Sequence, residues 1–455
     1  MSEGRPATAD PAREAALGAL LAIERGAPAG SALDRALRGV AAPLDRALAT
    51  ELVYGVTRRR LSLDGELAGL CNRPLRALEP GVRASLRLGL YQLRHARTPA
   101  YAAVTQAVAL ARRHGRPGGA GLVNAVLRRA AAAGAPQAGG EDADSLAAAH
   151  SHPAWLVARW LRRLGREETV ALLEADNRPP QVVLRANALR CDGAVLRAEL
   201  AAAGCAVQPG RYLPQAVRLG RGGAPGRLAA LSEGRCTVQG EASMLVAAVA
   251  APPAGSFCLD IAAAPGGKAT HLAEWMRDDG RVVANDTSAD RAAACAAAAA
   301  RLGLTCVETR VGDARALPEA FTDRCDVVLA DVPCSGLGAL AGRPDLRWRK
   351  READIAALSA LQGELIRAAA CCVKPGGVLI YSTCTTEPEE NGAIVAGLLA
   401  RRPDFRPLDL RPRLPALLAA EPSAAEGWLQ LWPHRHGTEG FFIAALCRRD
   451  PARAE

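Results

Sequence analysis

The sequence predicts an all-α bundle, then a small α+β segment, then an α/β domain with a doubly wound, mostly parallel sheet. Three observations predict this. Up to residue 133 the apolar residues recur at i, i+3, i+4 and i+7, and nothing alternates like a strand. From residue 255 short apolar strands alternate regularly with helices. A glycine-rich turn ends the first of those strands and opens a helix, the arrangement of a Rossmann-like ligand site. At 455 residues the chain exceeds what one core holds, so two or three domains are expected.

In the bundle, REAALGALLAIERG, DRALATELVYGVTRRRLSLDGELAGL, VRASLRLGLYQLRHA and LVNAVLRRAAAAG carry the helical period, with Gly and Pro at their ends. GAPQAGGEDADS, residues 134–145, reads as a linker. The domains are therefore set at 1–137, 146–250 and 251–449. In the middle segment AWLVARWLRRLG, VALLEADN and AVLRAELAAAG read as helices and VVLRAN as a strand. In the last, CLDIAA, VVAND, CDVVLADVP and GVLIYST read as strands. Helices follow at THLAEWMR, ADRAAACAAAAARLG and LQGELIRAAACCV, and FFIAAL supplies a final strand at the sheet edge.

Composition narrows the class. Hydrophobic residues at 49% against 23% charged describe a globular chain. Charge interrupts every Ala/Leu stretch before the ~18 apolar residues a membrane span needs, so no membrane association is expected. MSEGRPATADPARE has neither an apolar core nor a cleavage site, so no signal peptide is expected and the protein is placed in the cytoplasm. Thirteen cysteines, an odd number with no CxxC, argue against a disulfide framework or zinc site. The pairs His150/His152 and His434/His436 have no nearby ligand cluster, so no metal is expected. Residues 1–140 hold 20 arginines against 10 acidic residues, and the rest of the chain is neutral. A basic helical domain, with Arg58-Arg59-Arg60 and Arg128-Arg129, would grip a polyanion beside a catalytic unit. With only three lysines and heavy Ala use, the same excess also fits an Arg-rich composition.

The chemistry sits at strand ends. The turn Ala262-Ala263-Ala264-Pro265-Gly266-Gly267-Lys268 follows Asp260 and lets backbone approach a ligand. Asp286, about twenty residues on, suits a ribose diol. Asp313, after the next strand, could reach an adenine amino group. Together these suggest a nucleoside cofactor; the lesser alternative is that Asp286 and Asp313 merely cap helices. Asp331-Val332-Pro333-Cys334 and Tyr381-Ser382-Thr383-Cys384 each follow an apolar strand, so both cysteines should overlie one cleft. Carbon 5 of cytosine is a poor nucleophile toward a sulfonium methyl. A thiolate adding to carbon 6 makes it electron-rich. A carboxylate beside the base, a role Asp331 suits, can hold N3 protonated, and a base must later remove the C5 hydrogen. Cys71 and Cys295 read as packing residues.

On these residues the chain resembles the Nop/Sun family of RNA cytosine-C5 methyltransferases. The likeness is carried by AAAPGGK, Asp286, GDAR, DVPCSG, RPDLRW, YSTC, PEEN and GFFIAAL. It continues through ELVYGV, RLGLYQL and LVNAVLRR, which resemble a NusB-type RNA-binding domain, and through HPAWL, NRPP, LRAN and VQGEAS between the two. The resemblance implies Cys384 as nucleophile and Cys334 as the group that assists release. It implies S-adenosyl-L-methionine held by residues 262–268, Asp286, Asp313 and Asp331, with 16S rRNA or a small-subunit assembly intermediate as substrate and a monomeric enzyme. The same chemistry on tRNA, or an RNA-binding assembly or antitermination factor, are the alternatives; the second would have lost Cys384 or Asp331. Ala262, Val332, Gly240 and Gly342-Arg343 depart from the family pattern, and none removes a catalytic group.

Overall fold

A computed structural model describes residues 10–134, 140–220, 226, 228–317 and 319–452. Residues 1–9, on which the absence of a signal peptide was read, and 135–139 of the expected linker lie outside them. The chain forms two compact units: Met1–Pro179 with Leu340–Lys350, and Pro180–Ala339 with Arg351–Glu455. The segment expected over 146–250 is thus divided between them. Residues 143–145, expected as linker, already open a helix, because Asp142 caps it by accepting from Ser145 N–H.

Among the described residues the first unit contains helices and no strand. Its main helices are Pro11–Glu24, Pro43–Arg58, Arg60–Leu70, Pro80–His95, Ala100–His114, Gly119–Ala132 and Ala154–Asp176. The long pattern over residues 45–70 is two helices, separated at Arg59, whose backbone leaves the helical region (φ −99°, ψ 12°). The apolar stripes of the helices from Pro11–Glu24 to Gly119–Ala132 meet in one core that includes Leu17, Leu52, Leu88, Leu110 and Leu127.

The strap Leu340–Lys350 completes this unit, although it lies inside the stretch assigned by sequence to the catalytic domain. Arg347 is fully buried and donates to the carbonyls of Ser151 (2.9 Å) and Asp176 (3.2 Å) and to Asn177 Oδ1 (3.0 Å). Trp348 Nε1–H donates to the Thr57 carbonyl at 2.7 Å. Of the basic triplet Arg58-Arg59-Arg60, Arg58 is withdrawn from the surface and the other two are half-buried. Arg58 is buried and donates to the Ala341 carbonyl at 2.8 Å, and Arg60 lies over the Trp348 ring. A guanidinium that finds free carbonyls and an aromatic face is held inside rather than left in water. Arg128 and Arg129 remain exposed.

The second unit holds two sheets. Strands β1 (Val183–Ala186), β2 (Val207–Pro209), β3 (Ala216–Leu219) and β4 (Cys236–Val238) form an antiparallel sheet in the order β2-β3-β1-β4. The larger sheet contains β5 (Ser256–Asp260), β6 (Gly280–Asp286), β7 (Val307–Val311), β8 (Cys325–Asp331), β9 (Val373–Thr383), β10 (Phe405–Pro407), β11 (Trp428–Leu431) and β12 (Phe441–Arg448). Its order is β10-β12-β9-β8-β5-β6-β7, with β11 also on β12. Strands β5 to β9 run parallel, and β12 joins β9 antiparallel. The expected edge position of FFIAAL is corrected: β10 and β11 both pair with β12. Those short strands carry too few residues for a periodic signal.

Helices cover both faces of this sheet, with separate cores on each side. Helix Glu352–Cys372 is long and apolar enough to cross a membrane by length and composition, yet it packs its Leu365, Ile366 and Ala369 against the sheet. The winding reverses between β5 and β8, the point at which open α/β sheets bind ligands beyond the carboxyl ends of their strands.

Candidate active site

The strands that flank the reversal carry the predicted residues. Asp260 ends β5, Asp286 ends β6, and Asp331 ends β8 opposite Ser382 of β9. Because β8 and β9 are parallel neighbours, the residues after both emerge at the same end. Cys334 and Cys384 therefore meet, their sulfurs 3.3 Å apart and each thiol half-buried. The Cys334 thiol is pushed well above its ordinary pKa, first by its hydrogen bond with the Cys384 sulfur and then by burial. All thirteen cysteines are free, and Cys295 is packed in the core as read.

Asp331 is tied down on both oxygens. Lys268 Nζ donates to Oδ2 at 2.6 Å and Ser382 Oγ donates to Oδ1 at 2.7 Å. Burial pulls the Lys268 ammonium down, but the Asp331 carboxylate outweighs it and holds the pKa above the ordinary lysine value. Lys268 also lies 5.2 Å from the centre of the Phe441 ring. Sequence places Lys268 in the glycine turn, and its pairing with Asp331 arises only from the fold.

In the turn itself, Gly266 adopts φ +98°, and a Cβ there would meet Cys295 Cα at 3.1 Å. Glycine is needed on both counts. Asp286 is buried and accepts from Ser288 N–H (3.1 Å) and Ala264 N–H (3.4 Å), with Arg291 3.2 Å away. Asn285, beside it, donates to the carbonyls of Ile261 (2.9 Å) and Gly312 (3.0 Å) and so gathers three strand ends. Asp313 is different: its side chain is 42% exposed, caps the next turn and pairs with Arg315, which holds it down at about 2. Asp260, at the end of β5, is buried with Oδ2 unpartnered. Burial, then the neighbouring Asp331 charge, pushes it up to about 7. An orphaned buried acceptor beside a glycine turn and a buried Asp286 fits a ligand that brings its own cationic and hydroxyl donors, as S-adenosylmethionine does.

The smaller sheet is anchored to this turn. Arg185 of β1, fully buried, donates to Glu274 Oε1 (2.7 Å), the Gly267 carbonyl (2.7 Å) and Thr270 Oγ1 (3.1 Å), and bonds Gln239. These contacts explain two of the family motifs, LRAN and VQGEAS. At Gly240 an added Cβ would meet the Glu439 carboxylate at 2.2 Å, so this departure from the family pattern faces an acidic side chain.

The fold and this site define a Rossmann-like methyltransferase domain, joined to a NusB-like helical domain through a ferredoxin-like segment. Residues 247–447 match the 16S rRNA methyltransferase RsmB/F family, residues 10–132 the NusB family, and residues 152–224 the RsmF/B-like ferredoxin-like domain. The probable ribosomal RNA small subunit methyltransferase B of Bacillus subtilis is 37% identical over 89% of this chain and 91% of its own length. That of Synechocystis is 39% identical over 91% of this chain and 94% of its own length. The crystal structure of PH0851 superimposes with a TM-score of 0.82 at 29% identity, covering 97% of this chain and all of that one. The chain belongs to the RsmB/F family of 16S rRNA methyltransferases.

Proposed function

We propose that this protein methylates carbon 5 of one cytosine in 16S rRNA, cytosine 967 by resemblance, through a covalent bond between Cys384 and carbon 6. The observation that carries the reading is the pair of sulfurs 3.3 Å apart at the strand ends that also present Asp331. The division of labour is supported by the Cys334 thiol, which its contact with the Cys384 sulfur and burial push well above its ordinary pKa. That disfavours Cys334 as the thiolate, which is the attacking form of a cysteine.

S-adenosylmethionine, held by residues 262–268 with Asp260 and Asp286, supplies the methyl group. The chain's own residues do the rest. The Cys384 thiolate adds to carbon 6, and the displaced π electrons make carbon 5 nucleophilic. Asp331, kept in place by Lys268 and Ser382, faces N3 and stabilises its protonated form. Once carbon 5 carries the methyl group, its proton passes to water as base, and the electron pair left behind re-forms the C5–C6 double bond and expels Cys384 as thiolate, a departure Cys334 assists. No step requires a metal, and the substrate places the reaction in the cytoplasm. The basic helical domain, residues 1–137 in this division, holds RNA.

The test separates the two cysteines. Cys384→Ala should abolish methyl transfer and form no adduct with rRNA. Cys334→Ala should accumulate a protein–RNA adduct that survives denaturing gels and disappears on nuclease treatment. An adduct in Cys384→Ala alone would assign attack to Cys334, and methylation retained in both variants without an adduct would end the covalent reading.

A further inference from the structure

The methyl-transfer reading uses Cys334, Cys384 and Asp331, but it leaves two adjacent buried polar residues unexplained. Glu390 is fully buried, at the end of the turn Pro388–Glu390. Its Oε1 accepts from Ser335 N–H (2.8 Å) and from Gln362 Nε2 (2.9 Å), and its Oε2 accepts from Ser335 Oγ. Ser335 is the residue after Cys334. Asn391, also buried, grips the other side. Its Oδ1 accepts from Thr383 Oγ1 (2.6 Å) and its Nδ2 donates to the Thr385 carbonyl (3.1 Å), so it holds both neighbours of Cys384. Ser335 Oγ and Thr385 Oγ1 lie 2.8 Å apart and close the ring, and Tyr381 O–H donates to the Glu390 carbonyl at 2.6 Å.

We propose that Glu390 and Asn391 form a positioning bracket, Glu390 fixing the Cys334 loop and Asn391 the Cys384 loop, so that the two sulfurs stay in hydrogen-bond contact. A buried carboxylate with three donors is strongly oriented, because each donor left unmatched inside the protein would cost the full desolvation of that group. The bracket also has an electrostatic consequence. The Glu390 charge is one of the groups that push the Cys334 thiol up, after Cys384 and burial. Glu390 thereby helps Cys334 stay protonated. The inference rests on the two-cysteine reading for its catalytic meaning, but the geometry of the bracket stands without it.

The test is carried out on the full chain without RNA. Initial rates of iodoacetamide alkylation at Cys334 and Cys384 are followed against pH, peptide by peptide, in the native protein, Glu390→Gln and Ser335→Ala. Calorimetric binding of S-adenosylmethionine reports that each variant is folded. Glu390→Gln keeps the shape but loses the charge and one acceptor. Its Cys334 profile should move down by about one pH unit, roughly tenfold faster alkylation near pH 8. Ser335→Ala removes only the O–H donor and should move it the same way by less, so a Glu390→Gln protein that fails to fold still leaves a readout. In methylation assays kcat should fall about 100-fold, the scale of a misplaced reacting group, with KM for RNA changed less than about threefold. A Cys334 profile that superimposes on the native one in the folded variants overturns the bracket. If instead Cys334→Ala and Cys384→Ala both retain methylation without an RNA adduct while the alkylation profiles shift as stated, the covalent reading fails and the bracket survives.

Discussion

Replacing Arg185 with Met tests how the small antiparallel sheet supports the cofactor turn. Arg185 and Glu274 are both buried, 2.7 Å apart, and the same guanidinium holds the Gly267 carbonyl and Thr270 Oγ1 at the start of the helix that follows the glycine turn. Removing one partner strands the other as a buried, uncompensated charge, which costs about 3–5 kcal/mol. Removing both, as Arg185→Met with Glu274→Met, leaves an apolar contact of similar volume and should return stability to within about 1 kcal/mol of native. The pH dependence carries a sign. Burial, despite Arg185, holds the Glu274 pKa above its ordinary value, so the folded state favours its protonated form. That contribution is fully present below the unfolded carboxylate pKa and is lost as pH rises through the folded one. Without Arg185 the folded pKa rises further, so the single variant's deficit should be smaller at pH 4.5 than at pH 7. Urea unfolding of the three proteins at both pH values measures this, and calorimetry should show weaker S-adenosylmethionine binding in the single variant. A single variant within about 1 kcal/mol of native at pH 7, or a double variant as unstable as the single, would refute the reasoning.

Asp286→Ala should weaken S-adenosylmethionine binding by about 1.5–3 kcal/mol, the value of a charged acceptor lost to two hydroxyl donors, and unchanged calorimetric affinity would move the ribose elsewhere. Arg128→Ala with Arg129→Ala, both exposed, should reduce the slope of log affinity for rRNA against log salt by about 1.4–1.8. An unaltered slope would mean that this pair neutralises no phosphate. Asp176, buried in the helical unit, is pushed up to about 7 by burial, against the pull of Arg347. Its contribution to stability is present below about pH 4 and lost as pH rises toward 7, so Asp176→Asn should flatten the stability profile of the full chain between those values.

Two periodicities and the residues that punctuate them were enough to separate the helical part from the α/β part and to put Asp260, Asp286, Asp331 and both cysteines at strand ends. Local sequence carries this information because a helix or strand must bury one face, and the spacing of apolar residues records which. The family motifs were legible too, down to the residues of the glycine turn. What the sequence could not contain was the partner of each buried polar group. Arg347 finds carbonyls at residues 151 and 176, Arg185 finds Glu274, and Glu390 finds Ser335, all across separations that no local pattern spans. For this reason RPDLRW read as part of the catalytic domain, Arg58 as surface charge, and FFIAAL as an edge. The 3.3 Å between Cys334 and Cys384 likewise depends on β8 and β9 being neighbours, which strand order decides. Burial is written in the periodicity of the chain, whereas the pairing of buried polar atoms exists only after folding, because their cost outside water is met only by groups that tertiary structure brings within hydrogen-bond reach.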